Sequence, residues 1–341
     1  MKTAYLVRYG AYGDHVHMSN VIKALDELDY HITFEYNFKG LQIQNDNPRV
    51  NVHIPFEPPH RDAQKDDYLR HYKRHMRLMD KYDLYVNFSH SLEDALIAGA
   101  SSSEYYWPLD LRRAKNANTC YYDQSMKWAG LTDEKYMGRT GEIFYRKEDH
   151  EYVVNLLNKY KDRFILIYAF RGTMQQKATY PLAEPVINAF LDRHPDVLCI
   201  TTGDPECQKW EFDHPNVWHV SGRMPFRQVL LMTRYADLVV TPETGLGIGA
   251  GSYGTPKIMM LTAASKKNIV GNDKNDYSLQ SEAWCSPCTR AIYDTDHCPM
   301  KNGHPICVDF DPEQVVERME EVYQAGIPSK SWEIQDEPVY V

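Results

Sequence analysis

Across 341 residues no uninterrupted apolar run approaches the ~18–20 residues a membrane-crossing helix needs. No signal peptide is expected either, because the N-terminal strand TAYLVRY meets Arg8 and then Asp14 before an apolar core could form. Cytoplasm is therefore the expected compartment, with peripheral membrane contact left open. There the seven cysteines are expected to be reduced rather than paired. Positive charge is in deficit, 38 Lys and Arg against 47 Asp and Glu, a formal net charge of −9. That balance argues against a surface coated for nucleic acid, though not against a local basic face. Low-complexity tracts and repeats at solenoid periods are absent. The first turn, G-A-Y-G-D, lacks the G-x-G-x-x-G dinucleotide fingerprint, and no D-x-D-type metal motif stands between the two halves of the chain.

What is present is ordinary globular material, 43% hydrophobic and 25% charged, in a chain long enough for two domains. Residues 3–9 read as a buried strand and 15–28 as a helix with Met18, Val21, Ile22, Leu25 and Leu28 on one face. Strands follow at 31–37, 50–56 and 83–88, with a polar helix over 62–81 between the last two. Residues 101–142 give no clear order. From a helix at 148–161 the alternation restarts, with strands at 163–170, 197–203, 217–222, 237–241 and 255–261. Helices at 182–193, 226–235 and 312–325 complete it. Strands alternating with helices predict parallel sheets covered on both faces. The expected architecture is α/β: two Rossmann-like α/β/α domains, 1–147 and 148–325, facing each other across a cleft, with a tail at 326–341.

Ligands of such sheets sit at the carboxyl ends of strands, and two glycine-bearing turns lie at such ends. In RYGAYGD, Gly10, Gly13 and Asp14 join the first strand to the first helix. Either the glycines let a ligand approach, or the turn is simply tight and Asp14 caps the helix. In LVVTPETGLGIGAG, Glu243, Thr244 and Gly245 open a helix rich in glycine. Small residues there let a diphosphate reach free N–H groups, or else merely pack the helix against the sheet. AFRGTMQQK adds Arg171, Gly172, Thr173 and Lys177 after another strand, as phosphate partners. TTGDPE adds Gly203 and Glu206, with acceptors for a base or ribose. Three consecutive strand ends thus point to a nucleotide-diphosphate site.

The order of these segments, with SGRMP before ADLVVTPETG and a cysteine-bearing stretch before the last helix, resembles the family 9 glycosyltransferases. These are heptosyltransferase-like enzymes of the two-lobed GT-B fold. The resemblance spans most of the chain and is weakest at about 95–145. It implies an inverting transferase whose N-terminal lobe holds an acceptor and whose C-terminal lobe holds a UDP- or ADP-linked sugar, without a catalytic metal. It implies Asp14 as catalytic base, and Thr173 and Lys177 on the diphosphate, with Lys177 also stabilising the leaving group. The family's D-T-G stands here as Glu243-Thr244-Gly245. Ile248 replaces the histidine usual three residues on, which removes one polar contact to the donor.

The segment 60–77 carries six Lys or Arg and three His against three Asp, and 111–115 adds three more positive charges. On one helix Arg70, Lys73, Arg74 and Arg77 share a face, which suits an anionic acceptor. A lipopolysaccharide core-type glycan and phage-type hydroxymethylated DNA both fit. Cys285, Cys288, Cys298 and Cys307, spaced C-x2-C-x9-C-x8-C, are candidate ligands of a structural zinc. Two rivals to the transferase stay open: a GT-B-like sugar epimerase or hydrolase, and a degenerate nucleotide-sugar-binding protein without turnover.

Overall fold

A computed structural model describes residues 1–58, 65–89, 108–171, 179–289 and 298–326. The chain divides into two compact units, one of residues 1–115 and 119–144, the other of 116–118 and 145 onward.

In the first unit, β1 (Lys2–Arg8) leads into α1 (Tyr12–Asp26), β2 (Tyr30–Tyr36), α2 (Phe38–Gln44) and β3 (Val52–Pro55). Then come α3 (Lys65–Met79), β4 (Leu84–Asn87), the short α4 (Leu109–Arg112) and α5 (Tyr121–Trp128). The strands form a parallel sheet in the order β3-β2-β1-β4. Alternation along β1 sets its two faces. Ala4 and Leu6 join Met18, Val21, Ile22 and Leu25 of α1 in one core. Tyr5, Val7 and Tyr9 pack on the other face with Phe56, Leu78 and Tyr85. Leu28, expected on the buried face of α1, falls beyond the helix end and is exposed.

In the second unit α6 (Lys147–Asn158) precedes β5 (Phe164–Ala169), α7 (Ala183–Arg193), β6 (Val197–Thr202), β7 (Val217–His219) and α8 (Phe226–Met232). β8 (Leu238–Pro242), α9 (Gly245–Tyr253), β9 (Lys257–Leu261), α10 (Lys266–Val270) and β10 (Leu279–Gln280) continue it. A two-strand hairpin, β11 (Met300–Lys301) and β12 (His304–Pro305), comes before α11 (Pro312–Gln324). The six-stranded sheet runs β10-β9-β8-β5-β6-β7, with every pairing parallel. β5, β6, β8 and β9 are buried at every position, as expected of parallel strands covered on both faces. No described helix is long and apolar enough to cross a membrane.

Candidate functional site

At the end of β1 the Arg8 side chain, only 3% exposed, turns under the following turn. Its Nη2 lies 2.5 Å from Asp14 Oδ1, and its Nη1 donates to the Phe88 carbonyl at 2.6 Å. Asp14 is the third residue of α1, and its Oδ2 accepts from the Ala11 N–H at 2.7 Å. The carboxylate therefore caps the helix through one oxygen and pairs with Arg8 through the other. Burial pushes the Asp14 carboxyl up. The Arg8 guanidinium, with His17 and the Ala11 N–H, outweighs burial and holds it below the ordinary value. The next residue, His15, shares a hydrogen bond of 2.8 Å between its Nε2 and Asn37 Oδ1. Asn37 Nδ2 donates in turn to the Gly10 carbonyl at 2.9 Å, so the glycine turn is tied to the end of β2. Burial pulls His15 down to about 4, so it is neutral at pH 7.

The other face of this sheet corrects the basic-helix reading. The described part of the helix, α3, begins at Lys65, and residues 59–64 lie outside the described residues. Arg74 turns inward, where Nη1 donates to Glu35 Oε1 at 2.7 Å and Nη2 pairs with Oε2. Glu35 is fully buried and also accepts from the hydroxyls of Tyr5 and Tyr9. A buried carboxylate between two phenols demands a cation, and the strand β2 that carries it draws Arg74 out of the exposed set. Arg70, Lys73 and Arg77 stay exposed, and Arg70 pairs with Asp67.

In the second unit Thr244 caps α9, its hydroxyl accepting from the Gly247 N–H at 3.3 Å and sharing a 2.6 Å bond with Thr241. Two glycines of α9 serve packing. A Cβ on Gly247 would stand 2.7 Å from Met259 Sδ, and one on Gly251 2.5 Å from Lys257 Nζ. Lys257, fully buried, pairs there with Asp273. Glu243 Oε1 accepts from the N–H groups of Thr262, Ala263 (2.7 Å) and Ala264 (3.0 Å), and so holds the loop after β9. Burial raises the Glu243 carboxyl, and these donors only partly offset it. This backbone nest has no marker in the sequence, and neither has Arg8's role.

Arg171, at the end of β5, donates to Asp204 at 2.6 Å and to Glu206 at 2.9 Å. Gly203 lies against Cys207, whose Sγ would stand 2.4 Å from an added Cβ. A cavity of about 680 Å³ opens at these strand ends, lined among others by Arg171, Tyr180, Glu206, Trp210 and His304. The arginine lies over the Trp210 ring at 5.5 Å. Gly172, Thr173 and Lys177 lie outside the described residues. Cys285, Cys288 and Cys298 are partly exposed and Cys307 is buried. Burial, with those three thiols and Glu243 around it, pushes Cys307 up to about 12. Among the described residues no three His, Cys, Asp or Glu side chains are gathered closely enough to hold a metal ion. Gly13 and Asp14 thus belong to the first unit. Arg171, Gly203, Glu206, Glu243, Thr244, Gly245 and the four cysteines belong to the second.

Parallel α/β units with these turns at their strand ends define a class, the GT-B fold of the glycosyltransferases. Among solved structures, a family 9 glycosyl transferase from Veillonella parvula DSM 2008 matches with a TM-score of 0.71 at 14% identity, over 95% of this chain and 98% of its own. The E. coli ADP-heptose LPS heptosyltransferase II matches at 0.64 and 12%, over 95% and 99%. E. coli heptosyltransferase WaaC with ADP-2-deoxy-2-fluoro heptose matches at 0.56 and 13%, over 94% and 99%. No family model and no curated protein matches the sequence. The family resemblance read from the motifs is borne out in fold.

Proposed function

We propose that this chain is an inverting glycosyltransferase that moves a sugar from a nucleotide diphosphate to an anionic acceptor, with Asp14 as base. The observation that carries this reading is the Asp14 carboxylate: fixed by Arg8 and the Ala11 N–H, one quarter exposed, and kept ionised at the carboxyl end of β1. As the acceptor oxygen attacks the anomeric carbon, the bond to the diphosphate breaks and Asp14 takes the hydroxyl proton. Its depressed pKa makes it a weak base, suited to a proton that leaves late. Lys177, Thr173 and the N-terminus of α9 would stabilise the departing diphosphate. Residues 1–147 then serve the acceptor and 148–325 the donor. An ADP-linked sugar is the first donor to test because a structural neighbour is seen with an ADP-heptose analogue, and UDP sugars are the second. On the acceptor side Lys73 and Arg77 remain as outward charges, and a phosphorylated core-type glycan is the proposed partner.

The test is a transfer assay with ADP- and UDP-sugars against a phosphorylated core oligosaccharide, beside a hydroxymethylcytosine duplex. Asp14→Asn should lose roughly 10²–10⁴-fold in transfer while calorimetry shows the nucleotide still bound. Near-native turnover in that variant would remove Asp14 from the chemistry. Transfer to the duplex alone would replace the glycan with DNA. Release of free nucleotide without any acceptor would favour the epimerase or hydrolase.

A further inference from the structure

We propose that α3 docks this chain on an anionic lipid surface, with Leu69, Tyr72, Met76 and Met79 entering the headgroup layer. These four residues stand at i, i+3, i+7 and i+10, so they form one stripe along the helix. All four face solvent, exposed by 42%, 55%, 45% and 49%. Every other described element leaves at most one large apolar side chain exposed. Scattered apolar residues on a surface are ordinary, whereas an aligned row marks a contact. The helix is seated with its polar side inward. Arg74 reaches the buried Glu35, and His75 shares a 2.6 Å bond between its Nδ1 and the Tyr85 hydroxyl. His71 lies flat against Phe56, the ring centroids 5.4 Å apart and the planes 8° from parallel. Both histidines are buried, and Leu78 packs beside them against the sheet. A surface helix ordinarily turns its apolar stripe to the core. In α3 the buried acid takes the cationic side instead, and the apolar stripe faces out.

Charge selects the occupant. Lys73 stands four residues after Leu69 and Arg77 four after Lys73, so both run along the stripe, and both are exposed. The acids Asp66, Asp67 and Asp80 are confined to the two ends of the helix, where Arg70 pairs with Asp67. The stripe is thus edged with positive charge along its middle, in a chain of net charge −9. Anionic headgroups over hydrocarbon answer both features at once. Duplex DNA would take the charges and leave four apolar side chains in water. A second copy of the chain would bury the stripe but bring two positive rows into one interface. Docking would carry the first unit to a lipid-borne acceptor; that consequence rests on the transferase reading, and the docking itself does not.

The test is flotation of the full chain with vesicles of phosphatidylcholine alone and of phosphatidylcholine mixed with phosphatidylglycerol. Binding to the mixed vesicles is expected, roughly tenfold stronger than to the neutral ones at low salt. Leu69→Gln with Met76→Gln should weaken it roughly tenfold or more, and Tyr72→Gln with Met79→Gln gives an independent pair on the same stripe. Met300→Gln, similarly exposed in the second unit, should leave binding unchanged. Urea unfolding of the stripe variants should match the wild type, because these positions face out. No flotation with the mixed vesicles, or flotation that both pairs leave intact, would overturn the docking. Equal binding to the two vesicles would overturn the choice of an anionic surface. Sedimentation showing a dimer that the stripe variants dissolve, without vesicle binding, would assign the stripe to a second copy. Capture of a duplex but not of vesicles would replace lipid with DNA. None of these measurements involves sugar transfer, so a failure here is distinct from a failure of the transferase reading.

Discussion

Two opposite charges, Arg8 and Asp14, are sequestered 2.5 Å apart at the β1–α1 turn, and each limits what the other can do. Because burial alone would raise the Asp14 carboxyl, its ionisation depends on the guanidinium beside it. Arg8→Gln should therefore move the acid limb of the kcat/KM profile to higher pH, with the larger loss at pH 5–6 and partial recovery toward pH 8. Arg8→Lys, which keeps the charge but not the fork, should shift it less. A pH–rate profile for each variant checks this. An acid limb unmoved in Arg8→Gln would mean that Arg8 only supports the fold through Phe88.

At the scale of elements, α3 shows how a helix face is decided by its neighbour. Its spacing puts Arg74 in line with Arg70, Lys73 and Arg77, yet Glu35, Tyr5 and Tyr9 pull it inward. Removing one partner of a buried pair strands the other. Arg74 is about one third exposed, so the full 3–5 kcal/mol for a buried pair is discounted. Arg74→Ala should cost about 2–3 kcal/mol, measured by urea unfolding. Adding Glu35→Gln should recover much of it, and a double mutant as unstable as the single one would show the pair to be irrelevant. Lys73→Glu with Arg77→Glu is the change that should raise the acceptor KM and spare stability.

The helices were legible from their 3.6-residue period, and the strands buried on both faces from short continuous apolar runs. Arg74's direction was not, since nothing along α3 reveals an acid in β2. The hairpin of β11 and β12 went unread, because strands of two residues each are too short to show alternation. In α9 the glycines admitted both readings, and the Met259 and Lys257 side chains give Gly247 and Gly251 a packing role that nothing along the sequence reveals. Asp14 was visible as a cap and as a base candidate, whereas its partner Arg8 looked like one more strand residue.

Over the whole molecule Asp14, Glu35 and His15 of the first unit shift opposite to Glu243 and Asp273 of the second, whose Asp204 and Glu211 are lowered. In the first unit Asp14, Glu35 and His15 are all lowered on folding, the last to about 4. A lowered group contributes stability above its unfolded pKa and loses it as pH falls through the folded value. For His15 that window runs from about 6.5 down to about 4, worth about 2 kcal/mol by pH 5. In the second unit Glu243 and Asp273 are raised, burial being the first cause of each. Such groups stabilise below their unfolded pKa and lose that contribution as pH rises through the folded one. Calorimetry from pH 7.5 to 5 should therefore show a first-unit transition that falls ahead of the second. His15→Gln should flatten the fall, and two transitions moving together would contradict this division.

The strand order carries a consequence in time. β1 lies inside its sheet, paired with β2 and with β4, whose Leu84 lies opposite Ala4. During synthesis β1 thus waits through about 80 further residues for its second neighbour. In the other sheet β5 waits similarly for β8, Leu166 opposite Leu238. Closing such distant pairings is slow, and an edge left open meanwhile invites other chains. Yet β4 is complete by Asn87, well before β5 begins at Phe164. During synthesis the first sheet can close while the second is still unmade, and the two sets of parallel strands never compete for the same partners.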